Sequence, residues 1–70
     1  TIDFAIPSEE FVSLKVFDVL GREVQTLVSE VRRAGTYRVA FDASRLASGV
    51  YIYKLQAGSF TATKKMLLAK

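Results

Sequence analysis

Seventy residues, half of them hydrophobic, with a net charge of +3, bound this chain to one small folded domain and exclude a disordered tail. Cys and His are both absent, which excludes disulfides, thiolate metal sites, the common zinc ligand sets and the usual general base at neutral pH. No apolar run is long enough for a membrane-spanning helix, and the scattered Lys and Arg lack the basic stripe that nucleic acid binding wants.

Read in chain order, period two dominates. Ile2, Phe4 and Ile6 alternate with polar or small residues until Pro7 and the following Ser-Glu-Glu, which predicts an edge strand over 1–6 and a turn. Val12, Leu14 and Val16 alternate with Ser13 and Lys15, predicting a half-buried strand over 11–17. In Asp-Val-Leu-Gly-Arg-Glu, Gly21 supplies the φ > 0 position of a tight hairpin and Asp18 hydrogen-bonds the turn backbone. The return strand is expected over 23–28, where Val24 and Leu27 shift the alternation as a bulge would. Val24, Leu27, Val28 and Val31 at helical spacing leave a helix as the other reading of this stretch, although valine prefers strand. Residues 29–35 are polar, end in Gly35 and read as a loop. Tyr37, Val39 and Phe41 predict a strand over 36–42. Leu46, inside the longest connection, is expected to plug the end of the core. Val50 to Gln56 are apolar on both faces, the mark of a central strand, and the final strand is expected over 59–68. The elements together give an all-β sandwich of six strands, mostly antiparallel. Its core is expected to hold Val12, Leu14, Val16, Tyr37, Val39, Phe41, Tyr51 and Leu55.

The side chains offer little chemistry. Glu9 and Glu10 read as a solvated pair in a turn, Asp18 as a turn residue, and the four glycines as isolated turn positions rather than a phosphate cradle. No loop carries the acidic spacing of a calcium site. The expectation is therefore no catalysis, no cofactor and no metal. Tyr37, Tyr51 and Tyr53 could stack on a sugar, but each sits in an alternating strand pattern, which favours packing.

Binding centres on the end of the chain, Thr-Ala-Thr-Lys-Lys-Met-Leu-Leu-Ala-Lys. By alternation Met66 and Leu68 share the core-facing side with Phe60 and Ala62. Leu67 then points outward between Lys65 and Ala69. The lysines can simply guard a strand edge against aggregation. An outward leucine beside lysines on an unpaired edge is also a docking strip for another protein.

Three stretches resemble a known family: FVSLKVFDVLGREVQTLV, AGTYRVAFDASRLASGVYIYKLQAG and the terminal KKMLLAK. Together they resemble the C-terminal sorting domain of cargo proteins of the type IX (Por) secretion system. The resemblance covers nearly the whole chain, 1–70, as a single domain. It departs at the start, where the family's usual Asn-Pro-Phe-Asn-Pro lead is missing, and the chain is expected to be a fragment of a longer secreted protein. The resemblance implies an immunoglobulin-like sandwich of seven strands, the seventh coming from either Val24–Val31 or Ala43–Ser48. It implies a non-catalytic address recognised by an outer-membrane translocon after the cargo has reached the periplasm. A sortase-like peptidase then removes the domain and leaves the upstream cargo at the cell surface. The family's motif residues carry over to Gly35, Tyr37, Gly49, Val50, Tyr51, Lys64, Lys65, Met66, Leu67, Leu68 and Lys70. A similar sandwich with a G-x-Y strand occurs in flagellar hook-capping proteins, and a carbohydrate-binding accessory module of a secreted hydrolase is what the tyrosines would support. The basic end favours sorting.

Overall fold

The alternating segments resolve into β1 (Ile2–Ile6), β2 (Glu10–Asp18), β3 (Glu23–Arg32), β4 (Gly35–Val39), β5 (Gly49–Ala57) and β6 (Phe60–Leu68). The computed structural model describes every residue except Arg45 and Lys70, and none of the described residues is helical. Every pairing is antiparallel. One sheet runs β3-β2-β5-β6 and the other is the pair β1-β4. The chain is thus an all-β sandwich, as its alternation predicts, with two strands packed over four.

The core follows from the pleat, which sends alternate side chains to one face. Val12, Leu14 and Val16 are fully buried, and Ile2, Phe4, Ile6, Val28, Tyr51, Leu55 and Ala57 join them. Tyr37, Val39 and Phe41, expected in the core, are half-buried at its margin. They lie on or just beyond β4, an edge strand whose only partner among the described strands is β1. The alternating Ile2, Phe4 and Ile6 are buried more deeply than an edge strand suggests, because β1 lies face down on the larger sheet. Leu46 is half-buried, and its amide donates to the Ala43 carbonyl at 3.1 Å.

Two boundaries differ from expectation, each for a pairing reason. β3 continues through the polar 29–32 because β2 begins at Glu10, which pairs with Arg32, so the ladder has a partner to its end. β4 stops at Val39 because its partner runs out at Ile2. Neither candidate region supplies a seventh strand: 24–31 lies wholly within β3, and the described residues of 43–48 form a turn and bends. The bulge is present and doubled. Leu14 faces Val28 while Lys15 faces Thr26, and Val16 faces Gln25 while Phe17 faces Glu23. Leu27 and Val24 are therefore the extra residues, the two that shift the sequence pattern.

The β2–β3 hairpin shows how a few polar atoms fix a turn. Gly21 adopts φ of 83°, as the turn demands. The Asp18 carboxylate accepts from the amides of Leu20 at 2.9 Å and Arg22 at 3.0 Å, and from the Arg22 guanidinium at 2.8 Å. The Arg22 amide, first among these donors, lowers the Asp18 pKa from its ordinary 3.8. Arg38 does the same for Asp3, and the Thr26 hydroxyl, with Lys15, lowers Glu23 from its ordinary 4.5. A carboxylate with a depressed folded pKa contributes stability above its unfolded pKa, and that contribution disappears as the pH falls through the folded value. Thermal stability should thus be flat above about pH 5 and decline below the ordinary 3.8–4.5 range. Asp18→Asn should shrink that acid decline in a melting series against pH; an unchanged acid limb would remove Asp18 from the account.

Candidate functional site

β6 closes the larger sheet and pairs only with β5, so its outer edge has no partner among the described strands. An open edge of this kind is a template for another chain, and lysines on it discourage indiscriminate pairing. The pleat divides the tail between two faces. Lys64 lies opposite Tyr53, Met66 opposite Tyr51 and Leu68 opposite Gly49, all on the inner side. Lys65 lies opposite Ile52 and Leu67 opposite Val50, both on the outer side.

The two-stranded sheet determines how deeply the inner residues sit. β4 covers β3: the Arg32 guanidinium stands 5.0 Å from the Tyr37 ring centroid, and the Gln25 amide nitrogen donates to the Asp42 carbonyl at 2.7 Å. β6 therefore extends beyond the cover. An open cavity of about 200 Å³ results, lined by Phe4, Tyr53, Leu55, Phe60 and Ala62, with Lys64 at its rim. Met66 and Leu68 face inward as their alternation predicts but are only half-buried, and Phe60 stays 48% exposed. Leu67 is 76% exposed, more than any other large apolar side chain among the described residues. Lys70, part of the same motif, lies outside the described residues.

Charge at this end is unspent. Ion pairs join Lys15 to Glu23, Arg22 to Asp18, Arg32 to Glu30 and Arg38 to Asp3. Among the described residues none of them uses Lys54, Lys64 or Lys65. Tail lysines held in internal pairs would offer little to a partner; these are free to.

The glycine–tyrosine motifs, by contrast, turn inward. Tyr37 stacks on Phe4 with ring centroids 5.4 Å apart, and its hydroxyl donates to the carbonyl of Arg33. Tyr51 is buried, and its hydroxyl donates to the carbonyl of Ala47 at 2.8 Å. In both cases the acceptor lies four residues upstream, across a glycine. Gly35 and Gly49 have φ of 151° and 153°, which L side chains rarely adopt. The same device thus opens β4 and β5. Glycine lets the chain enter the strand at the required angle, and the tyrosine ties the strand back to the loop that precedes it, in the manner of a tyrosine corner. Tyr53 also packs against the core, so the three tyrosines present no common exposed platform for a sugar. Tyr51→Phe should cost about 0.5–1.5 kcal/mol, the net worth of one hydrogen bond, read as a lowered urea midpoint with unchanged slope. An unshifted midpoint would make the hydroxyl incidental.

Around the motif residue Val50, which lies beside Leu67, the outer face carries side chains that the linear pattern does not single out. Ile52 lies beside Lys65, and Phe17 and Lys15 lie across from Ile52 and Lys54. The period-two signal assigns each to the face opposite the core. Only the strand order, with β2 next to β5, brings them together.

The family model for the secretion system C-terminal sorting domain matches residues 1–69. No curated protein and no solved structure matches the chain.

Proposed function

Since the chain belongs to the family of secretion system C-terminal sorting domains, whose role is to direct type IX secretion, we propose that it is a non-catalytic address read mainly at β6. Under this reading an outer-membrane translocon recognises the domain in the periplasm and passes the upstream cargo to the cell surface or beyond. A sortase-like peptidase then removes the address.

The observation that carries the proposal is the outward pair Lys65 and Leu67 on β6, the edge strand whose outer edge has no partner among the described strands. An apolar side chain left in water beside a free positive charge contributes nothing to the domain's own stability, and it suits a partner offering an apolar pocket next to a carboxylate. The motif residues then divide in two. Lys65 and Leu67, with Val50 beside Leu67 on β5, form the contact. Gly35, Tyr37, Gly49 and Tyr51 shape the sandwich that presents it, while Lys64, Met66 and Leu68 hold β6 in register from the inner side.

The test is to fuse residues 1–70 to the C-terminus of a periplasmic reporter in a host bearing the type IX machinery. Surface display of the reporter is expected. A folded fusion that stays in the periplasm would overturn the proposal.

A further inference from the structure

We propose that the outer face of β2, β5 and β6 is a wider docking surface for an extended protein segment that turns acidic and apolar side chains in alternation to the same face. The proposal deepens the sorting reading and rests on it in one respect: Lys65 and Leu67 belong to both.

The first observation is a like-charge pair. Lys15 on β2 lies directly opposite Lys54 on β5, both on the outer face. Like charges placed opposite each other on neighbouring strands destabilise a sheet. Glu23 relieves Lys15 at 3.3 Å, but among the described residues no ion pair relieves Lys54. Lys65 continues the positive line onto β6, two residue pairs further along, where it faces Ile52. Local violations of good sheet design gather where a surface serves something other than the fold.

The second observation is what accompanies the lysines. Phe17, Ile52 and Val50 are half-buried on this face and Leu67 is mostly exposed, so apolar groups run beside the charges across all three strands. Charge complementarity asks for carboxylates in the partner. A purely anionic polymer would meet the lysines and leave Leu67 and Ile52 in water. An extended segment with acidic and apolar residues taking turns at every second position presents both on one face and can satisfy both.

The probe is a capped eight-residue peptide, Glu-Ser-Val-Ser-Glu-Ser-Val-Ser, whose extended form carries Glu and Val on one face, titrated into the 70-residue domain and followed by NMR. Saturable shifts are expected at Lys15, Phe17, Ile52, Lys54 and Lys65. Binding should weaken as ionic strength rises from about 0.1 to 1 M, which shortens the screening length from about 10 to 3 Å. Lys54→Glu should weaken binding about tenfold or more and at the same time raise the melting temperature, since it converts the Lys–Lys pair into an ion pair. Arg33→Glu changes the charge equally on a loop away from this face and should leave binding within about twofold. Absence of saturable binding, shifts confined to the Phe4–Phe60 cavity, or equal loss in both variants would overturn the proposal. Equally tight binding of the same peptide with each Val replaced by Ser, or of inorganic polyphosphate, would overturn the protein assignment. Loss of export on Lys65→Glu, with Lys54→Glu binding the probe normally, would reject the wider face and leave the tail as the address.

Discussion

Leu14→Ala is expected to leave the domain largely unfolded at 25 °C. Leu14 is fully buried, with Val28 opposite it on β3 and Leu55 opposite it on β5. Truncation loses the transfer free energy of the removed carbons and leaves a cavity that the neighbouring strands cannot close, about 2–5 kcal/mol together. A core this small rarely supplies more than about 3–5 kcal/mol, and a sequence without Cys has no disulfide to supplement it. The loss is therefore comparable to the whole. Leu20 gives the contrast: it sits at the hairpin tip, 74% exposed, and Leu20→Ala should change stability by no more than about 0.5 kcal/mol. Far-UV circular dichroism at 25 °C and urea titration of both variants check the pair. A Leu14→Ala domain that melts within a few degrees of the parent would mean the core lies elsewhere than the strand pattern places it.

Burial was legible wherever a strand's period two meets a covered face. Val12, Leu14 and Val16 read correctly because β2 is central and keeps strict alternation. Val24 and Leu27 read as irregularities because a bulge leaves a mark in the pattern itself. The end of β3 was not legible: Ser29 to Arg32 look like a loop, and only a partner strand of matching length keeps them paired. The depth of Met66 was hidden for a related reason. Its alternation correctly indicates the inner face, but whether that face is covered depends on the width of the opposite sheet, which two strands leave short of β6. Met66→Ser should accordingly destabilise the domain only in part, where full burial would make it unfold. The candidate site divides the same way. Lys65 and Leu67 were readable as outward from alternation alone. The inward hydroxyl bonds of Tyr37 and Tyr51 needed the loop geometry upstream, and the neighbourhood of Lys54 with Lys15 and Lys65 needed the strand order.

Leu67→Ser and Lys65→Glu should each strand the cargo in the periplasm while leaving the domain folded. Leu67 is 76% exposed and Lys65 is exposed with no ion pair among the described residues, so neither substitution removes a packed contact or a satisfied charge. Such surface changes usually fall within about ±0.5 kcal/mol. At a recognised surface the same changes are large. The serine removes the apolar group that a partner pocket would desolvate, and the glutamate turns attraction to a carboxylate into repulsion. A loss of 1.4 kcal/mol at the contact lowers affinity about tenfold, so the surface-displayed fraction of the reporter should fall by at least about that factor under limiting translocon. Ala57→Asp supplies the opposite control. Ala57 is 4% exposed, and a buried unpaired carboxylate there should abolish export through misfolding, with a melting transition to show it. Thermal melts and surface signal, measured on the same fusions, separate the two routes to failure. Normal export of both outward variants would mean that β6 only completes the sheet and that the translocon reads another part of the sandwich.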